Sequence, residues 1–179
     1  MPKTIKELDE YIAKYIQGGF GPADMAVLKE EIEKLEPGDV YVEIGVDEGR
    51  SARVAHEYAK EGVYKVWIDI HDPIHTPGLN RAEFMEQEKM VGLGKRGFYV
   101  HGDADEFAFL IDAIDLLFID GHHDYESVKR NTLEWEYKVI DGTILFQDID
   151  HPDVLRWLNE HYEEGKWEAL HGKMGKVKT

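Results

Sequence analysis

From Val40 onward, short apolar segments alternate with longer segments of helical periodicity, and this alternation limits the fold more than any other feature of the sequence. The apolar segments span residues 40–46, 64–70, 97–101, 116–120 and 143–147. The helical segments between and after them span residues 51–60, 82–90, 103–112, 125–139 and 154–162. Each is long enough to connect two parallel strands. The pattern predicts a doubly wound α/β sheet that is mostly parallel.

The chain of 179 residues has the length of a single domain, here residues 1–179. Residues 1–37 carry two helical patterns and precede a sheet core at 38–179. Within the core, residues 71–96 are rich in proline, glycine and charge, so we expect a lid-like insertion over a binding cleft.

Two short alternating segments follow the last helical segment. They flank Gly172-Lys173 and predict a C-terminal antiparallel hairpin that closes one sheet edge. We expect its lysines to form a solvent-exposed edge that discourages strand addition, and we assign them no function. These lysines are Lys166, Lys173, Lys176 and Lys178.

Charge and composition exclude several classes of function. The 37 acidic against 21 basic residues give a net charge of −16, which repels a phosphate backbone, so a nucleic-acid partner is disfavoured. There is no cysteine to supply a disulfide or a thiolate ligand. The first residues lack an apolar secretory core, and no apolar run approaches the ~18 residues that span a bilayer. We therefore expect a cytoplasmic protein without a membrane partner.

A glycine-containing loop, Val42-Glu43-Ile44-Gly45-Val46-Asp47-Glu48-Gly49-Arg50-Ser51, follows the first strand and opens a helix. At such a place glycines permit close backbone approach, and helix N–H groups face a ligand. Asp47 stands where a dinucleotide fingerprint needs its second glycine, which disfavours NAD. The alternative is an ordinary tight strand-to-helix turn that needs Gly45.

Polar residues also follow the next two strands. Asp69 ends the second strand, 26 positions after Glu43, where a carboxylate can accept hydrogen bonds from both ribose hydroxyls. Gly102-Asp103-Ala104 follows the third strand, where Asp103 could address an adenine edge or cap the next helix. Both interpretations of Asp103 stay open because capping and binding can coexist.

The fourth and fifth strands end in the most informative motifs. Leu116-Leu117-Phe118-Ile119-Asp120-Gly121-His122-His123-Asp124-Tyr125-Glu126 places acids and imidazoles at a strand's carboxyl end, where open α/β sheets bind ligands. Gln147-Asp148-Ile149-Asp150-His151 reaches the same edge if the sheet is parallel. For Asp150 we favour a helix cap ahead of Pro152.

Between Val40 and about Asp150, these motifs together resemble class I S-adenosylmethionine-dependent methyltransferases, which have a Rossmann-like sheet. The resemblance is to the small branch whose motifs read like E-I-G-x-x-x-G-x-S and I-D-G-x-H-x-Y-E. It implies that Glu43, Gly45 and Gly49 shape the methionine end of the cofactor site, and that Ser51 belongs to that site. By the same resemblance, the remaining contacts would be Asp69 on ribose, Asp103 and Ala104 at adenine, and Asp120 at the reaction centre.

Metal-assisted relatives, among them catechol and macrolide-sugar O-methyltransferases, use acids that match Asp120 and Asp148. Here Gln147 and Ile149 supply no second charge beside Asp148, so a Mg²⁺ site would be weaker. His123 matches the sugar-modifying branch and is the candidate general base. A metal-assisted mechanism and a metal-free mechanism based on His123 both stay open.

The leading hypothesis is therefore an S-adenosylmethionine-dependent O-methyltransferase for a small hydroxylated acceptor. A homo-oligomer could complete its open cleft. One rival is a metal-dependent hydrolase, which leaves the glycine loop and Asp69 unexplained. Another is a non-catalytic domain that binds an adenosyl ligand. The hydrolase would use His122, His123, Asp120, Asp148 and His151.

Overall fold

Seven strands form one sheet in the computed structural model, which describes residues 2–14, 19–47, 49–70 and 97–179. Their order across the sheet is β3-β2-β1-β4-β5-β7-β6. β1 to β5 are parallel, and β7 is antiparallel to β5 and β6. The Rossmann-like sheet with its C-terminal hairpin is thus confirmed. The strands are β1 Val40–Ile44, β2 Tyr64–Asp69, β3 Gly97–His101, β4 Ile114–Ile119, β5 Val139–Phe146, β6 Trp167–Ala169 and β7 Gly175–Lys178.

The described helices begin at local start signals. Thr4 and Glu7 form a capping box at α1, Pro22 opens α2, and the Asp124 side chain accepts a hydrogen bond at the start of α5. The helices are α1 Ile5–Ile12, α2 Pro22–Ile32, α3 Arg50–Tyr58, α4 Ala104–Phe107, α5 Tyr125–Trp135 and α6 Pro152–His161. None of them has both the length and the apolar character needed to cross a membrane. The helix expected at 82–90 and the lid-like insertion at 71–96 lie outside the described residues.

Two apolar layers cover the two faces of the sheet. On β1, Tyr41 packs in the layer with α1, α2 and α3, whereas Val42 and Ile44 pack in the layer with α4, α5 and α6. On β4, Phe118 belongs to the first layer and Ile119 to the second. Successive residues of a strand point to opposite faces, so strands covered on both sides are mostly apolar.

The start of β5 differs from the prediction. The pattern suggested a helix to residue 139 and a strand from 143, but α5 ends at Trp135 and β5 already begins at Val139. Asp141 has a left-handed φ of 54°, and the pairing register with β4 shifts between Ile114 and Leu116. An Asp-Gly pair usually indicates a turn, and here it forms an irregularity inside a strand instead.

A buried carboxyl group joins β1 to α3. Glu43 is fully buried and accepts hydrogen bonds from the Tyr41 hydroxyl, at 2.8 Å, and from the Ser51 hydroxyl. Burial raises the pKa of Glu43 to about 8, although the two hydroxyls stabilise its charged form. The nearby charges of Asp120 and Asp69 raise it further. The sheet therefore carries an acid that stays protonated at neutral pH.

We expect this acid to make the protein less stable as the pH rises. Since the pKa of Glu43 is higher in the folded chain than the ~4.3 of an unfolded glutamate, its stabilising contribution is complete below pH ~4 and is lost as the pH passes 8. Between these limits the free energy of unfolding should fall by up to ~1.4 kcal/mol per pH unit. Urea denaturation at several pH values measures the slope.

The matched control is Glu43→Gln, which keeps the shape of the side chain and cannot ionise. Its stability should fall less steeply over the same pH range. Equal slopes for the two proteins would contradict the assignment to Glu43.

Candidate active site

The carboxyl ends of β1, β4 and β5 are held in register by hydrogen bonds that continue one residue past the strands. The Asp120 N–H donates to the Ile44 carbonyl at 2.8 Å, and the Gln147 N–H donates to the Ile119 carbonyl at 3.0 Å. The residues that follow these strands therefore belong to one hydrogen-bonded edge of the sheet. This is the edge at which open α/β sheets bind ligands.

Gly45 is required by the protein's own backbone. Its φ is 83°, and a Cβ at this position would overlap the Asp120 carbonyl oxygen and come within 2.6 Å of Gly121 Cα. The sequence suggested that Gly45 makes room for a ligand. The structure shows that its missing side chain also lets the loops after β1 and β4 touch, and contact of Gly45 with a ligand stays a prediction.

Asp69 holds the loop after β1 in place. Its Oδ2 accepts hydrogen bonds from the N–H groups of Val46 and Asp47, each at 2.7 Å. The residue is 6% exposed, and it also lines the cavity beside that loop. Asp69 thus has a structural task that the sequence did not indicate, and contact with a ribose stays a prediction.

A first cavity of about 330 Å³ lies over the ends of β1, β2, β3 and β4. Pockets for drug-sized ligands typically begin near this size. Five residues that were predicted to bind the cofactor line it: Gly45, Asp69, Asp103, Ala104 and Asp120. Asp103 also caps α4, since its Oδ1 accepts a hydrogen bond from the Asp105 N–H at 3.3 Å. The cap is therefore confirmed, and contact of Asp103 with adenine stays a prediction.

The other three predicted cofactor residues lie behind the loop after β1. Glu43 is buried beneath it, and Gly49 is the left-handed N-cap of α3 with a φ of 85°. Ser51 donates its hydrogen bond to Glu43 and borders a second cavity. These three residues stabilise the loop after β1 from behind, and their direct contact with a cofactor stays a prediction.

The second cavity has a volume of about 250 Å³ and adjoins the first at Asp120, which lines both. His123 and Asp148 line it from β4 and β5, and Phe20 lines it from the segment before α2. Arg50 fixes that segment, because its Nε donates to the Phe20 carbonyl at 2.9 Å and its Nη2 donates to Asp9 at 2.6 Å.

The two adjacent histidines have different surroundings. His122 lines the first cavity and His123 lines the second. His123 Nε2 lies 3.3 Å from Asp148 Oδ2 and 3.8 Å from Asp120 Oδ1. Interaction with the Asp120 carboxylate raises the pKa of His123, and the charge of Asp148 acts in the same direction.

Asp120 combines burial with a second carboxylate nearby. Burial raises its pKa to about 7, and the charge of Asp148 raises it further, while His123 lowers it. Perturbed groups that meet in a cavity are typical of reaction centres. The arrangement can hold a proton, or a cation, beside a bound ligand.

The same three side chains fit a divalent cation. One ligand atom from each of Asp120, His123 and Asp148 lies within 4.8 Å of the others. Two carboxylates suit Mg²⁺, and an imidazole nitrogen in addition suits Mn²⁺ or Zn²⁺ better. His122 and His151 do not join this group among the residues that the structure describes, so the five-residue cluster of the hydrolase hypothesis does not assemble.

Sequence reasoning missed the contacts of three cations, two of which belong to the hairpin. Lys176 is buried, and its Nζ donates to Glu31 at 2.7 Å, whereas Lys173 Nζ donates to Asp148 at 3.1 Å. The expected solvent-exposed edge is therefore wrong for Lys176, whereas Lys173 is exposed as expected and contacts Asp148 in addition. Arg50 was also missed. Only the three-dimensional arrangement shows these contacts, since each joins distant parts of the chain.

Comparison with solved structures supports the fold. A Bacillus cereus O-methyltransferase in complex with SAH has a TM-score of 0.69 and 14% identity, covering 100% of this chain and 93% of that chain. The SAH-bound Podospora anserina methyltransferase PaMTH1 has a TM-score of 0.71 and 16% identity, with coverages of 99% and 88%. CalS11, a TDP-rhamnose 3′-O-methyltransferase of calicheamicin biosynthesis, has a TM-score of 0.62 and 16% identity, with coverages of 86% and 76%.

Comparison at the level of sequence gives the family. No curated protein matches the chain. The model of a family described as a methyltransferase domain matches residues 42–149, which is more than half of the chain. The match includes the motifs after β1, β2, β3 and β4 and the first three residues of the motif after β5. The family predicted from these motifs is confirmed: the chain belongs to the methyltransferase-domain family.

Proposed function

We propose that the protein is an S-adenosylmethionine-dependent O-methyltransferase that acts on a small hydroxylated acceptor. The observation that carries this proposal is the meeting of two cavities at Asp120. A group transfer needs two reactants held side by side, and most of the rate enhancement comes from that positioning. The first cavity would take the cofactor and the second the acceptor.

The first cavity suits an adenosyl ligand. Asp69 and Asp103 stand at neighbouring strand ends, where their carboxylates can bind ribose hydroxyls and an adenine edge. Two of the structural neighbours, from Bacillus cereus and Podospora anserina, were solved with SAH. S-adenosylmethionine supplies an electrophilic methyl group on a positively charged sulfur.

His123 would act as the general base on the acceptor. Its Nε2 takes the proton of the acceptor hydroxyl, while Asp148 and Asp120 stabilise the imidazolium that forms. Phe20 forms an apolar wall of the acceptor cavity and excludes water from that side. This requires an acceptor hydroxyl within hydrogen-bonding distance of His123.

A divalent cation would be held by Asp120 and Asp148, with His123 beside them. Mg²⁺ at this place would stabilise the negative charge that develops on the acceptor oxygen. The cation and His123 would therefore both favour removal of the proton from the acceptor hydroxyl, so their contributions to the rate overlap.

We expect a small acceptor that is not a nucleic acid, because the net charge of −16 repels a polyanion. The CalS11 neighbour acts on TDP-rhamnose, which supports a sugar or a related metabolite as the class to screen first. A homo-oligomer and a cytoplasmic location stay predictions.

The cofactor site is tested by binding. We expect the protein to bind SAH in calorimetric titration, and Asp69→Ala to weaken this binding by tenfold or more, since each charge-assisted hydrogen bond contributes ~1.5–3 kcal/mol. Loss of the two loop contacts of Asp69 acts in the same direction.

The matched control for this experiment is Asp148→Ala, which removes a carboxylate from the second cavity. Its affinity for SAH should stay within about threefold of the wild type, because Asp148 does not line the first cavity. Equal losses in both variants, with both folded, would remove Asp69 from the cofactor site. No binding of SAH by the wild type would contradict the proposed function.

The base is tested by turnover on an acceptor found by screening sugars and phenols. His123→Ala should lower kcat by about 10²–10⁴-fold and leave the affinity for SAH nearly unchanged, because a general base acts on the chemical step. SAH release measures kcat.

His151→Ala is the control, since the ring centroid of His151 lies 5.9 Å from that of His123 while its side chain lines neither cavity. It should change kcat by less than about threefold. Normal turnover of His123→Ala would show that His123 is not the base.

A further inference from the structure

Lys173 brings a positive charge from the hairpin to the candidate reaction centre. It lies in the turn between β6 and β7, and its Nζ is 3.1 Å from Asp148 Oδ1 and 3.5 Å from Asp150 Oδ2. The other oxygen of Asp148 lies 3.3 Å from His123 Nε2. Asp148 therefore stands between an ammonium group and the imidazole of the proposed base.

The backbone of Lys173 is anchored on two sides. Its N–H donates to Asp24 Oδ1 at 2.8 Å, and its carbonyl accepts from the Ile149 N–H at 3.1 Å. Asp24 is itself buried at the start of α2 and accepts a hydrogen bond from the Gly21 N–H at 3.1 Å. These contacts involve the main chain, so the turn keeps its place whatever side chain residue 173 carries.

Gly172 allows the turn between β6 and β7 to lie close to the start of α2. Its φ is 69°, and a Cβ there would overlap the Asp24 carboxylate. The turn can therefore lie directly against the end of α2 only with glycine at this position. Lys173, the next residue, is thereby fixed at the distance from which its side chain reaches Asp148.

The ammonium and a divalent cation need the same carboxylate. Asp148 supplies one of the three ligand atoms of the candidate cation site, and Lys173 Nζ already contacts Oδ1 of this carboxylate. A lysine ammonium is a compact point charge, so it repels a second cation within a few ångströms. The Lys173 side chain is 48% exposed, which lets it turn toward water when another cation arrives.

We propose that Lys173 is a positioning residue that serves as the internal counter-ion of Asp148 and competes with a divalent cation for the Asp120, His123 and Asp148 group. With Lys173 in place, Asp148 is compensated and oriented toward His123 without a metal. Binding of a divalent cation displaces the ammonium, so the site binds that cation more weakly than it would without the charge of Lys173.

The experiment measures the affinity of the protein for Mn²⁺ by electron paramagnetic resonance, without cofactor or acceptor. We expect Lys173→Met to bind Mn²⁺ about tenfold more tightly than the wild type, because one repelling charge beside the site is removed. Lys173→Arg keeps the charge and should bind about as weakly as the wild type. Asp148→Asn in the Lys173→Met background should abolish the gain.

Lys166→Met is the matched control, because it removes the same charge from the other end of β6 and leaves Asp148 untouched. It should leave the affinity for Mn²⁺ within about twofold. Equal affinities of Lys173→Met and the wild type would overturn the proposal, as would the absence of Mn²⁺ binding in every variant at millimolar concentrations. Failure to bind SAH would contradict the methyltransferase proposal alone, since the Mn²⁺ measurement needs no cofactor.

Discussion

The carbonyl oxygen of Asp120 occupies the space in which a side chain on residue 45 would stand. This contact sets the distance between the loops after β1 and β4, and it places the Asp120 side chain where the two cavities adjoin. The two hydrogen bonds from the loop to Asp69 fix the same loop from the β2 side. The proposed site for two reactants thus depends on contacts of main-chain groups in which neither the Asp120 carboxylate nor the His123 imidazole takes part.

Much of this arrangement could be predicted from the sequence. Parallel strands end at one edge of a sheet, so the place of each motif directly after a strand predicts that Asp69, Asp120 and Asp148 lie at the same edge. The glycine loop and the Asp103 cap are local signals, and the structure contains them where the pattern indicated. The cap expected at Asp150 is wrong, because His151 is the N-cap of α6. The sequence was therefore sufficient to locate the polar residues that directly follow a strand.

The rest depends on contacts between distant residues or on conformations that a pattern cannot reveal. Lys173 reaches Asp148 and Arg50 reaches Asp9 only because helices and hairpin dock at defined angles. At β5, the left-handed Asp141 conceals the beginning of the strand, since Asp-Gly is typical of turns. His122 and His123 line different cavities although they are adjacent in the chain. Two identical residue types give no indication of this difference in the sequence.

The hydrogen bond between Asp24 and Lys173 joins residues that are 149 positions apart in the chain. Contacts of such separation form late, because a long loop must close before they contribute. During synthesis, the strands β1 to β4 can assemble before the hairpin emerges, whereas Asp148 receives its neighbouring ammonium only afterwards. The proposed cofactor side of the edge can therefore form before the proposed acceptor side, which is completed by hairpin residues that follow later in the chain.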